Sequence, residues 1–132
     1  MSDQPTNQNE NEPETENEYG NIAISPTAIA SIVNHSVNQC YGIVGMASRG
    51  MVNGIAQLLS RDPHKGIDVK LTDETLEIDL YVIVEYGIRI RAVAETVQNT
   101  VKFNVEKGMN RPVDAVNVYV QGLAHVPKKG ES

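Results

Sequence analysis

The sequence contains few of the residue types from which catalytic and metal sites are usually built. Its 132 residues include one cysteine, three histidines and no tryptophan. The single cysteine, Cys40, excludes an internal disulfide framework and is typical of a reducing compartment. The histidines (His35, His64 and His125) lie far apart and show none of the spacings of zinc ligands, so we expect no metal and no cofactor.

The chain also lacks long apolar runs and an excess of basic residues. No run approaches the ~20 apolar residues of a membrane-spanning helix, so we expect no direct membrane insertion. The N-terminal segment has no apolar stretch of the kind a secretory signal needs, which indicates a cytoplasmic protein. Residues 1–18 hold six of the 17 acids and no Lys or Arg, which leaves 11 acids and 11 bases in the rest. A neutral body argues against nucleic-acid binding.

Composition divides the chain into one domain and two tails. Residues 1–18 are rich in Asn, Glu, Gln and Pro and are predicted to form a disordered acidic tail. Residues 19–126 are predicted to form a single globular domain, because their number suits one hydrophobic core. The polar residues 127–132 are predicted to be a frayed tail.

The stretch 76–120 organises the predicted fold. Alternating apolar residues predict a strand over 76–85, and apolar residues spaced by three or four predict a helix over about 88–107. A second strand is predicted at 114–121, and Gly108 is expected to cap the helix. Two ion pairs are expected on the solvent side of this helix, Arg91 with Glu95 and Lys102 with Glu106.

The first half of the chain supplies the elements that pack with this unit. Strands are predicted at 19–24, 41–47 and 67–71, with a helix opened by Ser25 and Pro26 and a short helix at 50–59. The order is β-α-β-(α)-β-β-α-β. The predicted fold class is therefore α/β, a two-layer arrangement in which a mixed sheet of about five strands carries two long helices on one face and one short extra helix.

Four carboxylates, one lysine and the single cysteine are the candidates for chemistry on the predicted sheet and helix. Asp68, Glu77, Asp79 and Glu85 fall on outward positions of the sheet, where we expect solvated carboxylates rather than a catalytic pair in a cleft. Lys70 is expected opposite Glu77 on the same side. Cys40 ends an apolar helical stripe and is expected to be buried and structural. No catalytic residue is predicted.

Three apolar residues on that outward face form the candidate interaction surface: Tyr81, Ile83 and Tyr119. If the helices cover the other face, these side chains are either exposed or covered by the predicted helix at 50–59. An exposed sheet patch of this kind is typical of contact with another protein or with a second copy.

Several segments together resemble the alkaline shock protein family of Gram-positive bacteria, and in particular its short single-domain members. They are residues 19–25 (YGNIAIS), 41–47 (YGIVGMA), 78–87 (IDLYVIVEYG) and 116–122 (VNVYVQG), joined by Val97, Gln98, Val101, Val105 and Glu106. The resemblance covers about residues 19–123. One local departure is residues 107–112 (KGMNRP), where the family usually has a Thr-Gly-Leu turn.

The resemblance implies an α/β domain without known catalytic residues, a tendency to self-associate and a role in envelope homeostasis. Some relatives are held at the membrane by a separate anchor protein, and short members are often encoded beside a kinase of the dihydroxyacetone-kinase type.

These observations lead to one main hypothesis and two rivals. The main hypothesis is a non-enzymatic, self-associating scaffold or adaptor in envelope stress or lipid-linked homeostasis, membrane-proximal only through a partner. That partner would be a membrane-anchor protein or a neighbouring kinase, and Tyr81, Ile83 and Tyr119 would be the contact residues. The first rival is a regulatory module that binds a small ligand near residues 41–50, as an accessory to such a kinase. The second, RNA binding, is disfavoured by the neutral body and by the lack of a basic Gly-x-x-Gly loop.

Overall fold

The computed structural model describes residues 14–48 and 65–126. The elements of these residues are, in order, β1 (Glu14–Asn17), β2 (Gly20–Ala23), α1 (Pro26–Asn38), β3 (Ile43–Met46), β4 (Ile67–Leu71), β5 (Leu76–Glu85), α2 (Ile90–Met109) and β6 (Ala115–Ala124). The mixed α/β fold class is confirmed, with a four-stranded sheet and a separate two-stranded sheet among the described residues. The predicted helix at 50–59 and the predicted tail at 127–132 lie outside the described residues.

Strand β5 is the centre of the main sheet. One of its edges pairs antiparallel first with β4, over residues 76–80, and then with β3, over residues 82–84. Its other edge pairs with β6, which runs parallel to it. The joint between β3 and β4 is made by Tyr81, whose N–H donates to the Gly66 carbonyl at 2.9 Å while its own carbonyl accepts from the Ala47 N–H at 2.8 Å. The backbone of Tyr81 is therefore fixed by two strands that end beside it.

The N-terminal hairpin departs from the sequence-based expectation. Glu14–Asn17, assigned from composition to the disordered tail, form β1, so that prediction is wrong for these four residues. Strand β2, predicted within the main sheet, pairs with β1 instead. The turn between them is closed by the Asn17 side chain, whose Oδ1 accepts from the Tyr19 N–H at 2.8 Å. Composition alone does not reveal such a turn, because the turn depends on one local hydrogen bond from a specific asparagine.

Helices α1 and α2 pack side by side on one face of the main sheet. The predicted start of α1 is confirmed: Ser25 Oγ accepts from the Ala28 N–H at 3.2 Å, and Pro26 follows in the first turn. Apolar stripes on both helices meet the inward side chains of β5 in one core: Ile29, Val33, Val37, Val93, Val97, Val101, Val105, Leu76, Ile78, Leu80, Val82 and Val84. Removing this area from water, at about 25 cal/mol per Å², is the main favourable term for folding.

The C-terminal end of α2 was predicted wrongly. Gly108 lies inside the helix, and Asn110 is the residue that adopts the left-handed conformation, with φ of 57°. Asparagine tolerates this conformation better than most residues, because its short polar side chain can bond locally. Gly108 has a packing role instead, since an added Cβ would lie 3.2 Å from Ile32 Cδ1 of α1.

Both predicted ion pairs on α2 are present. Arg91 Nε lies 3.6 Å from Glu95 Oε2, and Lys102 Nζ lies 2.7 Å from Glu106 Oε2. Glu106 also accepts from the Val113 N–H at 2.9 Å, which ties the end of α2 to the segment that leads into β6. The hydrogen bonds from Lys102 and from the Val113 N–H hold the pKa of Glu106 below its ordinary value of 4.5.

This arrangement predicts a pH-dependent contribution to stability from Glu106. Because the folded pKa is below the unfolded one, the contribution is present above pH 4.5 and is lost as the pH falls through the folded pKa. We expect Glu106→Gln to lower the melting temperature at about pH 7 and to lower it much less at about pH 3. Thermal unfolding followed by circular dichroism at both pH values measures the difference.

Glu95→Gln is the matched control, because Glu95 pairs with Arg91 at 3.6 Å and accepts no backbone hydrogen bond that links two elements. Its effect on the melting temperature should be small at both pH values. A Glu106→Gln deficit that stays constant between the two pH values would show that this carboxylate does not stabilise the fold through its charge.

Candidate interaction surface

The outward face of β5 and β6 carries a stacked tyrosine pair. Tyr81 and Tyr119 are register partners on the two parallel strands, so their side chains leave the same face. Their rings stack with centroids 5.0 Å apart and an interplanar angle of 17°. Stacking of this kind contributes about 0.5–1.5 kcal/mol beyond the buried area. It also holds each ring in one orientation, so the pair presents a rigid aromatic surface.

Ile83 extends this surface, because it lies on the same face of β5 two residues beyond Tyr81. Its register partners are Gly45 on β3 and Gly122 on β6. Leaving aside each glycine's own chain neighbours, no atom of the described residues lies within 4 Å of the place where a Cβ would stand at either glycine. Ile83 therefore has no side chain on either side of it in its own row. We call Tyr81, Ile83 and Tyr119 the outer-face patch; Tyr119 is 43% exposed, and the other two are half-buried.

The other half of the outward face is polar and internally bonded. Lys70 Nζ lies 3.0 Å from Asp79 Oδ2. The Asn117 amide donates to Asp79 Oδ1 at 2.8 Å and to Glu77 Oε2 at 2.9 Å. The Asp79 carboxylate, by hydrogen bond and by charge, raises the pKa of Lys70 above its ordinary value of 10.5.

This network corrects the expectation of four solvated carboxylates. Asp79 is only 4% exposed, so for this residue the prediction is wrong. Lys70 does stand opposite Glu77 in the strand register, as predicted, but its ion pair is with Asp79. The missing partner in the prediction was Asn117, whose outward position on β6 follows from strand alternation. An amide between two carboxylates is a packing solution for a crowded acidic face.

The three histidines and the cysteine, which are the candidate metal ligands and nucleophile, do not lie together in the fold. His35 lies on α1, His125 follows β6, and His64 is outside the described residues. Within residues 14–48 and 65–126, no three His, Cys, Asp or Glu side chains are grouped so that they could hold a metal ion. Cys40 is buried, as predicted, and its Sγ–H donates to the Ser36 carbonyl at 3.4 Å.

A surface groove lies between α1 and α2, away from the predicted outer-face patch. It has a volume of about 460 Å³ and is lined by Ile32, His35, Ser36, Gln39, Asn104, Lys107 and Gly108. Two of these lining residues join the helices through a hydrogen bond, from Asn104 Nδ2 to Ser36 Oγ at 2.8 Å. The groove is therefore separate from residues 41–50, where a ligand site was predicted.

Comparison with known proteins gives the family. The model of the alkaline shock protein 23 family, described as having a cell envelope-related function, matches residues 14–125. The chain belongs to this family. The match confirms the resemblance found in the sequence and extends it at the N-terminus to include the β1–β2 hairpin.

The chain is similar to proteins of Bacillus subtilis and Streptococcus pyogenes. YloU of Bacillus subtilis, described as uncharacterised, is 40% identical over 112 residues, which are 83% of this chain and 93% of its own length. Spy1614 of Streptococcus pyogenes, also described as uncharacterised, is 39% identical over 106 residues, 79% of this chain and 88% of its own length. A zinc form of the MamM CTD covers 80% of this chain and 92% of its own at 10% identity, but the TM-score of 0.44 is too low to establish a common fold.

The family description relates the function to the cell envelope. Within the described ranges, no helix combines the length and the apolar character that crossing a membrane requires.

Proposed function

We propose that this member of the alkaline shock protein family is a non-enzymatic scaffold or adaptor that self-associates through its outer-face patch. Its setting is the cytoplasm close to the envelope, and its further partner is a membrane-anchored protein or a kinase of the dihydroxyacetone-kinase type. The observation that carries the proposal is the rigid stack of Tyr81 and Tyr119 on the sheet face opposite α1 and α2, extended by Ile83 between two glycines. The family description supplies the envelope setting.

The geometry of the outer-face patch suits a protein contact. Its tyrosines are already ordered, by stacking and by the backbone hydrogen bonds of Tyr81, so little side-chain entropy is lost when a partner binds. Aromatic side chains of this kind are enriched among the residues that dominate binding energy at interfaces. Among the residues that the structure describes, none fills the space beside Gly45 and Gly122, which leaves room for a partner's side chains next to Ile83.

The proposal is tested by removing the apolar side chains of the patch. We expect the wild-type protein to show a mass above that of the monomer in light scattering, increasing with concentration. Tyr81→Ser combined with Ile83→Ser should shift it to the monomer, because about 1.5–3 kcal/mol is lost for each large apolar side chain that a contact buries.

The matched control is the double variant Tyr41→Ser with Phe103→Ser. Tyr41 is 75% exposed and Phe103 is 64% exposed, and both lie off the outward face of the sheet. This variant removes as much exposed apolar surface and should leave the mass unchanged. A wild-type protein that is monomeric at every concentration would sink the proposal, and equal loss of association in both double variants would remove the patch as its location.

A second candidate function is a regulatory module that binds a small ligand. The observation that favours it is the groove of about 460 Å³ between α1 and α2, where the Lys107 side chain offers positive charge beside the imidazole of His35 and the amides of Gln39 and Asn104. A thermal-shift screen with nucleotides and acyl compounds tests it, since a ligand that binds only the folded state must raise the melting temperature. Loss of such a shift in Lys107→Ala would place the ligand in this groove, and no shift with any compound would reject this function.

A further inference from the structure

The charged residues of the domain are separated by layer. The strands of the main sheet carry four acids and one base, and all five lie on the outward face: Asp68, Lys70, Glu77, Asp79 and Glu85. Helix α1 has no Lys, Arg, Asp or Glu, whereas α2 with its flanking residues Arg89 and Arg111 has five bases and two acids. The body of the chain, although neutral as a whole, therefore has an acidic sheet face and a basic helix layer.

The positive charge of the helix layer is concentrated near the end of α2. The two acids of this helix are already paired with Arg91 and Lys102 of the same helix. Lys107 and Arg111 form no ion pair with any residue in the described part of the chain. Lys107 lines the groove between α1 and α2, and its Nζ lies over the exposed ring of Phe103. This end of the helix layer can therefore attract an acidic segment.

The start of α1 lies beside this end of α2. Asn104 of α2 donates to Ser36 of α1. One turn later in α2, Gly108 faces Ile32, which is one turn earlier in α1. The two helices are therefore antiparallel. Continuing the same register brings the first residues of α1 next to the residues that follow Gly108, among them Arg111.

The acidic residues 1–13 enter the domain at this same place. They include Asp3, Glu10 and Glu12 and no Lys or Arg. The residue that follows them, Glu14, pairs with Ala23, three residues before α1 begins. Thirteen residues span up to about 43 Å when extended, whereas the groove begins about 9 Å along α1, at the helical rise of about 1.5 Å per residue. The segment is therefore long enough to lie along the groove.

We propose that residues 1–13 dock along the groove between α1 and α2, where Glu10 and Glu12 pair with Lys107 and Arg111. Charge selects this surface, because the basic helix layer attracts the segment and the acidic outward face of the sheet repels it. Exposed ion pairs are weak between separate molecules. A segment of the same chain acts at an effective concentration of about millimolar, so weak pairs are sufficient to hold it.

This contact goes beyond the proposed self-association and does not depend on it. A docked segment covers the groove between the helices and leaves the outer-face patch open, because the patch lies on the opposite face of the sheet. Any small ligand of the groove would have to displace residues 1–13 before it could bind.

The test is a paramagnetic label within residues 1–13. A nitroxide attached to Gln8→Cys, in a Cys40→Ala background, weakens the amide signals of residues that the segment approaches. We expect residues 32–39 and 104–111 to lose about half of their intensity or more in low-salt buffer, where ion pairs are least screened, and the outer-face patch to keep most of its intensity. The loss should disappear at about 1 M salt.

Two double variants separate this contact from a general attraction between charges. Lys107→Gln with Arg111→Gln removes the proposed partners and should abolish the loss of intensity in the groove. Arg89→Gln with Arg91→Gln is the matched control, because it removes the same charge at the other end of α2 and should leave the loss unchanged. A loss that survives the first double variant, or that is equal in the groove and in the outer-face patch, would overturn the proposal.

A second copy as the occupant of the groove is tested by mixing. Spin-labelled chains are combined with isotope-labelled chains that carry no spin label. Signals of the isotope-labelled chains should keep their intensity, because each groove is occupied by its own residues 1–13. Loss of intensity in the mixture would assign the groove to another molecule and overturn the proposal.

A comparison without a label covers the case in which the Cys40→Ala background fails to fold. The triple variant Asp3→Asn, Glu10→Gln and Glu12→Gln changes no residue of the described domain. The amide signals of Asn104 and Lys107 should shift between this variant and the wild type, and unchanged signals would overturn the docked segment. The proposed self-association, which light scattering measures, would stand after that result.

Discussion

Gly66→Ala is expected to destabilise the fold by about 2–5 kcal/mol, a large part of the ~5–15 kcal/mol that holds a domain together. Gly66 has a φ of +82°, a conformation that costs an alanine about 1–2 kcal/mol. An added Cβ would also lie 2.6 Å from the Ala47 carbonyl oxygen and 2.9 Å from the Tyr81 carbonyl oxygen. Both neighbours are backbone atoms, and the Ala47 N–H is itself bonded to the Tyr81 carbonyl, so neither can move aside without loss of this hydrogen bonding. Denaturant unfolding measures the loss.

Gly87→Ala is the control for this experiment. Gly87 has a φ of +98°, and no described residue beyond its two chain neighbours has an atom within 4 Å of the place where its Cβ would be. It should therefore show the conformational cost alone, about 1–2 kcal/mol. If both variants lose the same stability, the close approach at Gly66 contributes nothing and the joint between β3 and β4 is looser than the distances indicate.

The consequence of this close approach reaches the interaction surface. Gly66 and Ala47 together bond both backbone groups of Tyr81, the central residue of the outer-face patch. Where two short strands share one edge of a third, the ladder of hydrogen bonds is usually interrupted between them, which weakens the sheet. Here the interruption falls at Tyr81, and the close approach of Gly66 lets both backbone groups of Tyr81 keep a hydrogen bond. The position of the patch thus depends on Gly66, although this glycine contributes no side chain to the patch.

The local elements of this fold could be read from the sequence, because their signals are local. The alternation of β5 gave bounds that coincide with the strand, Leu76–Glu85, and the apolar spacing of α2 located its buried valines. The inward and outward faces of β5 follow from the same alternation. For this reason Tyr81, Ile83 and Tyr119 could be placed together on one face before any contact was known.

The features that the sequence did not predict all depend on which strands pair with each other. Nothing in the residues of β3 and β4 says that both share one edge of β5, because register is a property of two strands and of the space between them. The burial of Asp79 follows from that pairing, since Lys70 and Asn117 approach it from the strands on either side. The position of β2 outside the main sheet likewise depends on competition between β1 and the strands of the main sheet as its pairing partner. The sequence indicated a neighbour only where a short turn joins two strands, as for Lys70 opposite Glu77, and not for strands that lie far apart in the chain.

The second large effect expected is that substitutions on the two faces of β5 act on different properties, one face on the free energy of unfolding and the other on self-association. Leu80 is fully buried against the helices, whereas Ile83 faces outward between two glycines. Leu80→Ala should cost about 2–5 kcal/mol in the free energy of unfolding, from lost transfer energy and from the cavity that remains. Ile83→Ala removes a similar number of atoms but leaves no enclosed cavity, and should cost about 1 kcal/mol or less.

The two variants should rank in the opposite order when self-association is measured. Ile83→Ala takes away part of the outer-face patch, so its dissociation constant should rise by about tenfold, as the loss of a partly buried side chain from an interface implies. Leu80→Ala, studied below its lower melting temperature, keeps the patch and should associate as the wild type does. The measurements are denaturant unfolding and concentration-dependent light scattering on the same samples. If Ile83→Ala lost stability as Leu80→Ala does and kept its association, Ile83 would belong to a covered core, and the outward face of β5 would not be the surface through which this protein binds.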